Sequence, residues 1–431
     1  MDNHGISVKQ SDNFSRRLAF GGIIIIIATF SKSFLNLLYQ IGMSRLLLPS
    51  DFGLLSSILA IYVILAIPSR SISLATAKLV STTIIHKPIV VIKVLFFHIV
   101  KFILPLFVIV SLLLIFFSPA FAVTLKVEIG IIALIGATYT LSVASPVIEG
   151  IFQGLENNGR LGISLLILPI LKIGLSFTLV FLGFEVIGAI WGLIFASIIS
   201  PLLLMIFISP YLRGGEEELS ETFNFRTILP VLITDLGFIL FFNVDLLLVR
   251  VFFSPIESGY YAVISVVGRT ILYIASSIAI VMIPKAVKSH ESGQDARKVL
   301  MNSLLISITL SIVSVIIILF LGDSIILIIF GKTYRSVVIY LPLLVVVFLI
   351  YGVVGILTNF NVALNNYSLN IPLFLGICIE IVGIVLYHDS LFTVLTIMLF
   401  SACFMVFGLI CLIFLKRWYL KINRGMELSI D

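Results

Sequence analysis

Long runs of apolar residues fill most of the chain, and they constrain its fold more than any other feature of the sequence. Each run has about 20 residues or more, the length that a helix needs to cross a hydrocarbon core of about 30 Å. Charged residues are only 11% of the 431 residues, whereas 60% are hydrophobic and the mean hydropathy is +1.25. Because backbone polar groups must be satisfied internally in lipid, such runs favour helices. The sequence therefore predicts an all-α integral membrane protein.

Charged residues, Pro, Gly or Asn separate twelve such runs. The predicted spans are residues 19–41, 54–77, 88–117, 129–151, 161–183, 186–208, 226–250, 258–283, 300–321, 336–358, 369–387 and 391–415. The first run follows a basic segment, as a secretory signal does. It is longer than the apolar region of a signal, and no small-residue cleavage site ends it, so we expect an uncleaved first span.

The positions of the basic residues predict the orientation of the spans. With the N-terminus inside, the inner segments contain eighteen of the 27 Lys and Arg residues and the outer segments contain five. Lys and Arg concentrate in cytoplasmic loops. We therefore expect a multi-pass protein of the plasma (inner) membrane with both termini in the cytoplasm. Since these loops account for the net charge of +6, we expect no nucleic-acid partner.

Three short segments recur in the same order in the two halves of the chain. The pairs are Arg45–Gly53 with Arg250–Gly259, Ala77–Val80 with Pro284–Val287, and Leu155–Asn158 with Ala363–Asn366, at offsets of 205 to 208 residues. Six spans in each repeat would give both halves the same topology. We predict an N-terminal lobe at residues 1–210 (spans 1–6) and a C-terminal lobe at 211–431 (spans 7–12). These pseudo-symmetric six-helix bundles would surround a central cavity.

The repeated segments resemble those of the oligosaccharide and polysaccharide flippases, the O-antigen-type transporters of lipid-linked oligosaccharides. SRLLLPSDFGLLSSILAI after span 1 is similar to their ARLLGPEDFGLFALALAI pattern, NVDLLLVRVFFSPIESGYYAVISVV to its second-half counterpart, and FQGLENNGRLGISLLI to their Q-G-L stretch. Their superfamily also contains multidrug antiporters and lipid II flippases. The resemblance implies two V-shaped bundles around an often cationic cavity. It also implies transport of a polyprenyl phosphate- or pyrophosphate-linked oligosaccharide from the inner to the outer leaflet, for surface polysaccharide or glycoprotein assembly.

Basic side chains inside the spans are candidate substrate-binding residues, because each costs about 2.5–3.5 kcal/mol to insert at the bilayer centre. Lys172 and Arg269 each lie about eleven residues, or roughly 16 Å, into a span. Span 1 carries Lys32 on one helical face with Asn36 and Tyr39. Arg70, in span 2, either joins these residues or extends its side chain to the lipid headgroups. The predicted ligands of the lipid phosphate are Lys32, Arg70, Lys172, Arg269, Asn36 and Tyr39.

Acidic side chains inside the spans are candidates for coupling or gating. At the repeat offset of 208, Glu380 corresponds to Lys172, and the two would form either a gate that opens when cargo binds or a static ion pair. Asp235 and Asp245 fall on one face of span 7. Either they coordinate Na⁺ or carry a proton, or Asp245 pairs with Arg250 near the outer surface. We expect no cofactor apart from such a coupling ion.

The sequence has no Gly-rich phosphate loop, H-E-x-x-H motif or nucleophile elbow, and its three cysteines lack metal-ligand spacing. We therefore expect neither an enzyme nor a metal centre. Two alternatives to a flippase remain. An ion-coupled multidrug antiporter would favour acids over bases in its cavity, because its cargo is usually cationic. A membrane glycan polymerase or glycosyltransferase would normally carry a long outer loop. The expected partners are lipid-linked oligosaccharide and membrane lipids, and the expected state is a monomer.

Overall fold

A computed structural model describes residues 3–86, 91–213 and 229–427, and within these ranges the chain forms helices and no β-strand. The α-helices are α1 (Asn3–Leu46), α2 (Pro49–Leu65), α3 (Ile67–His86), α4 (Val91–Phe116), α5 (Ser118–Leu125), α6 (Ile129–Leu141), α7 (Ala144–Gly154), α8 (Asn158–Leu179), α9 (Glu185–Ile208), α10 (Leu229–Phe241), α11 (Val244–Phe252), α12 (Pro255–Glu291), α13 (Ala296–Ile325), α14 (Leu341–Ala363), α15 (Ile371–Leu386) and α16 (Leu391–Glu427). The prediction of an all-α chain is confirmed for the described residues.

Each predicted span has a helical counterpart. By length and composition, ten segments of the described chain can cross a membrane, and the bent pair Leu232–Phe241 and Val244–Phe252 adds an eleventh if it forms one span. One of the ten, Asn158–Leu212, has 55 residues. It turns at Gly183, whose φ is +91°, so that α8 and α9 pack against each other. This segment therefore contains two of the twelve predicted spans.

The chain divides into two compact units. The first contains the described residues of Met1–Leu46 and Leu65–Ile228, and the second contains those of Leu47–Ile64 and Leu229–Asp431. Nearly all of α2 thus belongs to the second unit, whereas the predicted N-terminal lobe included it. The division falls near Pro68, in the first turn of α3, which has no N–H to donate to a carbonyl of α2 and so interrupts span 2. The predicted lobe boundary adjoins residues 214–228, outside the described chain, and stays a prediction.

Each unit has its own packed interior. In the first unit α1 packs against α8, α3 against α7 and α4 against α6. The ring of Phe107 stacks on Tyr139 there, with 4.7 Å between centroids. In the second unit α12 packs against α13 and α14, and α15 packs against α16. Within it Phe241 and Tyr351 lie 4.1 Å apart between ring centroids. Lipid tails are as apolar as the helices, so burying apolar surface does not drive the helices together in a membrane. Close packing contacts such as these stabilise their association instead.

The repeated segments begin and end helices at matching places. Both α2 and α12 begin at a proline, Pro49 and Pro255, a position where the missing N–H would have no helical partner anyway. Both α7 and α14 are followed by a residue in the left-handed region, Glu156 with φ 54° and Asn365 with φ 55°. The sequence repeat therefore corresponds to a repeat of local backbone geometry.

Candidate functional site

Lys172 is the buried base of a cluster in the first unit, here called the basic cluster, which also contains Lys32, Asn36 and Tyr39. The side chain, on α8, is 7% exposed. Its Nζ donates a hydrogen bond to Asn36 Oδ1 and lies 4.4 Å from the centroid of the Tyr39 ring. Asn36 and Tyr39 are three residues apart and so share the face of α1 that packs against α8. Both partners of the ammonium group are neutral.

Hydrogen bonds hold the Tyr39 ring in place. Tyr39 is fully buried, and its hydroxyl donates to Ser176 Oγ at 3.4 Å. The Ser176 hydroxyl in turn donates to the Ala189 carbonyl oxygen at 3.0 Å. Gly192 lets α8 and α9 approach, since a Cβ there would lie 2.4 Å from the Ser176 backbone. The ring beneath Lys172 is thus fixed by two helices, α8 and α9, that pack closely.

Lys32 adds a second positive charge to this cluster and lies near an acid that the sequence analysis missed. The Lys32 side chain is exposed, and it interacts electrostatically with both Lys172 and the half-buried Glu149 of α7. Glu149 is the one acid in predicted span 4, but it lies two residues from the end of that span, so the cost of inserting a charge at the bilayer centre did not select it. Arg70, on α3, belongs to the same unit and is exposed.

The second unit contains a buried acidic cluster. The side chains of Asp245 and Glu380 are 1% and 0% exposed, and their charges repel each other. The Tyr261 hydroxyl donates to Asp245 Oδ2 at 2.6 Å. The hydroxyls of Tyr351 and Ser401 donate to Glu380 Oε2 at 3.1 and 3.4 Å, whereas Glu380 Oε1 has no hydrogen-bond donor within the described chain. The two tyrosines and the serine carried no sequence signal of their own.

The Arg269 side chain is 15% exposed, and its guanidinium donates three hydrogen bonds to protein acceptors. Nε donates to Ser265 Oγ at 3.1 Å and Nη1 to Asn243 Oδ1 at 2.9 Å. Nη2 donates to the Phe242 carbonyl oxygen at 2.8 Å and lies 3.6 Å from Asp245 Oδ1. Arg269 belongs to the second unit, whereas the other three predicted bases belong to the first.

The structure corrects the prediction that span 7 is one helix over residues 226–250. Residues 226–228 lie outside the described chain. The helix breaks between Phe241 and Val244 and bends by 43°. Asp235 on α10, 8% exposed, and Asp245 on α11 therefore lie on different helices. A shared face cannot be inferred from their spacing, because the helical register does not continue through the break.

The predicted ion pairs also have different outcomes. Asp245 pairs with Arg269, whereas Arg250 donates to the Ser50 carbonyl oxygen at 3.4 Å and to Ser258 Oγ at 3.2 Å. Asp245 and Arg250 are five residues apart, a spacing that places side chains on different faces of a helix. Lys172 and Glu380 each have partners within their own unit, and their pairing stays a prediction.

In the described chain no group of three or more His, Cys, Asp or Glu residues is placed to hold a metal ion.

The fold and its long apolar helices define a multi-pass α-helical membrane protein. The chain resembles an inward-facing multidrug resistance MATE family transporter of the MOP superfamily, with a TM-score of 0.71 and 11% identity over 93% of this chain and 99% of that one. It also resembles the lipid II flippase MurJ in an inward closed conformation (TM-score 0.66, 15% identity, 91% and 87% covered) and the eukaryotic MATE transporter AtDTX14 (0.66, 15%, 96% and 98%). At such low identity these likenesses show the fold alone.

The sequence family follows from a separate comparison. The model of a family described as polysaccharide biosynthesis protein matches residues 42–339, more than half of the chain. The protein therefore belongs to this polysaccharide biosynthesis family, as its resemblance predicted. No curated protein matches it.

Proposed function

We propose that this protein is a flippase for polyprenyl phosphate- or pyrophosphate-linked oligosaccharide. It moves this lipid from the inner to the outer leaflet of the plasma membrane by alternating access, for surface polysaccharide or glycoprotein assembly. Its family supports a function in polysaccharide biosynthesis, and its fold is shared with a lipid II flippase. In this proposal the protein acts as a monomer, with both termini in the cytoplasm, and performs no catalytic step.

The burial of the Lys172 side chain is the observation that carries the proposal. Holding a Lys at this depth costs about 2.5–3.5 kcal/mol, and the Tyr39 ring offsets about 2 kcal/mol of it. Within the described chain, the contacts of the Lys172 amino group are with the neutral side chains of Asn36 and Tyr39. The exposed Lys32 repels this amino group. A phosphate group bound between the two bases would neutralise both and relieve this repulsion.

We propose Lys32, Asn36, Tyr39, Lys172 and Arg70 as the phosphate-binding residues. All five belong to the first unit. Arg269 was the remaining predicted ligand, and three of its five N–H donors already bond protein acceptors. The lipid phosphate would therefore bind mainly to the first unit.

The acidic cluster would couple this transport to Na⁺ or to protons. Two carboxylates that repel each other, one with an oxygen that lacks a donor, favour a cation between or upon them. Asp245 and Glu380 are the proposed coupling residues, and Asp235 on α10 is a third candidate. The same acids favour a second function, an ion-coupled antiporter of cationic drugs, because buried carboxylates also attract organic cations.

Transport in proteoliposomes tests the two functions. Purified protein would be reconstituted with a fluorescent polyprenyl pyrophosphate-linked oligosaccharide, and an impermeant quencher would report its movement between leaflets. We expect wild-type protein to flip the lipid and Lys172→Met to slow flipping by about tenfold or more, since losing one charge-assisted contact costs about 1.5–3 kcal/mol. Lys332→Met, which removes an exposed charge outside the cluster, serves as the control and should match wild type.

The opposite result is equally clear. If wild-type vesicles carry a hydrophobic organic cation against an imposed Na⁺ or proton gradient but leave the oligosaccharide lipid in place, the protein is an antiporter. Equal flipping by Lys172→Met and wild type would remove the basic cluster from the binding site.

A further inference from the structure

Span 7 is broken at residues 242 and 243, and its own sequence supplies only part of the cause. Helix α10 ends at Phe241, α11 begins at Val244, and the bend is 43°. Residues 238–245 read FILFFNVD, without proline or glycine. Sharp kinks arise at such residues, at π-bulges, or where a side chain enters the hydrogen-bond ladder. One such side chain belongs to span 7 itself, since Asn243 Nδ2 donates to the Ile239 carbonyl oxygen at 2.8 Å. A second side chain reaches the break from another element.

Arg269 of α12 is the second side chain that enters this ladder. In a continuous helix the Phe242 carbonyl would accept a hydrogen bond from the N–H four residues later. Here it accepts one from Arg269 Nη2 at 2.8 Å, while Nη1 bonds Asn243 Oδ1 at 2.9 Å. A free carbonyl at membrane depth would cost several kcal/mol. The guanidinium removes this cost because its planar fork reaches both acceptors at once.

The Arg269 guanidinium also contacts the first turn of α11, the helix that follows the break. Asp245 is the second residue of α11, and its Oδ1 lies 3.6 Å from Arg269 Nη2. Tyr261, eight residues before Arg269 on α12, donates to the other carboxylate oxygen at 2.6 Å. Helix α12 therefore holds the two break residues and the first turn of α11, and the position of Asp245 depends on contacts that Arg269 makes.

We propose that Arg269 is a positioning residue that keeps span 7 bent and thereby places Asp245, and that it does not bind the cargo phosphate. For its effect on transport, this inference rests on the proposed flippase function. Its structural part does not, because the bend can be measured without cargo. Replacing Arg269 should straighten or loosen the break and lower the turnover rate, while the affinity for the lipid-linked phosphate stays close to wild type.

A distance between two spin labels measures the bend. Labels would be placed at Ile233 on α10 and Val281 on α12, which are 42% and 48% exposed, in a chain with Cys378, Cys403 and Cys411 replaced by serine. The nine residues from 233 to 242 form an arm of about 13 Å, so losing the bend would move its tip by about 10 Å. We expect Arg269→Gln to shift the distance by several ångströms.

Two further variants make the test specific. Ser265→Ala removes a contact within α12 itself and should keep the wild-type distance. Arg269→Lys keeps the charge but not the planar fork, so it should shift the distance too, and it is the variant to use if Arg269→Gln does not fold. In the flipping assay Arg269→Lys should lower the maximal rate several-fold with an unchanged apparent KM.

The outcomes separate this inference from the proposed function. Wild-type distances in both Arg269 variants would overturn the positioning role. So would a raised apparent KM with an unchanged maximal rate, which indicates direct phosphate binding. If wild-type protein does not flip the lipid but the labels still move in the Arg269 variants, the flippase proposal fails and the positioning role stands.

Discussion

Lys172 and Glu380 show how single charged residues are kept inside helices that otherwise face lipid. Lys172 has an amide oxygen and an aromatic face as partners. Glu380 has two hydroxyl donors on one oxygen and none from the described chain on the other. Neither pairing cancels the charge, so both residues retain the capacity to bind an ion of opposite sign.

The aromatic face under Lys172 gives a test at the residue scale. Tyr39→Leu removes the ring and should reduce flipping by about tenfold or more, because a desolvated cation–π contact is worth about 2 kcal/mol. Tyr39→Phe keeps the ring and loses only the hydroxyl bond to Ser176, so it should stay within about threefold of wild type. The measurement is the initial flipping rate, with thermal stability recorded in parallel. Equal losses in both variants would assign the effect to the hydroxyl instead.

The sequence predicts one side of this contact but not the other. The spacing of Lys32, Asn36 and Tyr39 places them on one face of a helix, since residues three and four apart are neighbours. Their partner, Lys172, is 136 residues from Asn36. No local rule pairs residues at such a separation, because the contact exists only once α1 packs against α8.

At the element scale, spans 2 and 7 are both broken, and for different reasons. The break in span 2 lies beside Pro68, so the sequence could indicate it. The break in span 7 depends on Arg269, which lies 27 residues after the Phe242 carbonyl that it binds. A continuous apolar run predicts the span, but it cannot reveal a side chain that enters from a neighbouring helix. This is why a face shared by Asp235 and Asp245 cannot be inferred from their spacing.

Two glycines of the repeated segments allow α2 and α12 to touch. A Cβ on Gly259 would lie 1.8 Å from the Pro49 carbonyl oxygen, and one on Gly53 would lie 2.6 Å from the Gly259 nitrogen. Both clashes involve backbone atoms, which cannot turn aside as a flexible side chain can. The contact between these helices therefore requires glycine at 259.

Gly259→Ala should destabilise the protein by forcing these backbones apart. Overpacking of this kind costs about 1–3 kcal/mol, so we expect Tm in detergent to fall by several degrees. The matched control is Gly174→Ala in α8, where a Cβ would meet nothing within 4 Å; its Tm should not fall. An unchanged Tm for Gly259→Ala would show that α2 and α12 are not in close contact in solution.

At the scale of the whole molecule, the two halves share repeated segments but differ in the charged residues inside their predicted spans. Three of the four predicted bases belong to the first unit, and Asp235, Asp245 and Glu380 all belong to the second. The repeat preserves the helix starts at Pro49 and Pro255, whereas the buried chemistry has diverged. In the proposed function, the anion site would belong to the first unit and the cation site to the second.

The direction of flipping depends on the orientation of these units in the membrane, which the basic loops predict. Ser292, after α12, lies in a predicted inner loop, and Lys332, between α13 and α14, lies in a predicted outer one. Both side chains are exposed. Single cysteines at these positions, in the chain that lacks native cysteines, would be treated in intact cells with a membrane-impermeant maleimide.

We expect Lys332→Cys to react in intact cells and Ser292→Cys to react only after the membrane is opened. The reason is that inner segments carry eighteen Lys and Arg residues and outer segments five, a bias that sets orientation during insertion. Labelling of the opened membranes is the control, since both cysteines must then react. The reverse pattern would place both termini outside. The basic residues near the inner ends of the spans would then face the outer leaflet, and the inward-to-outward direction of transport would have to be abandoned.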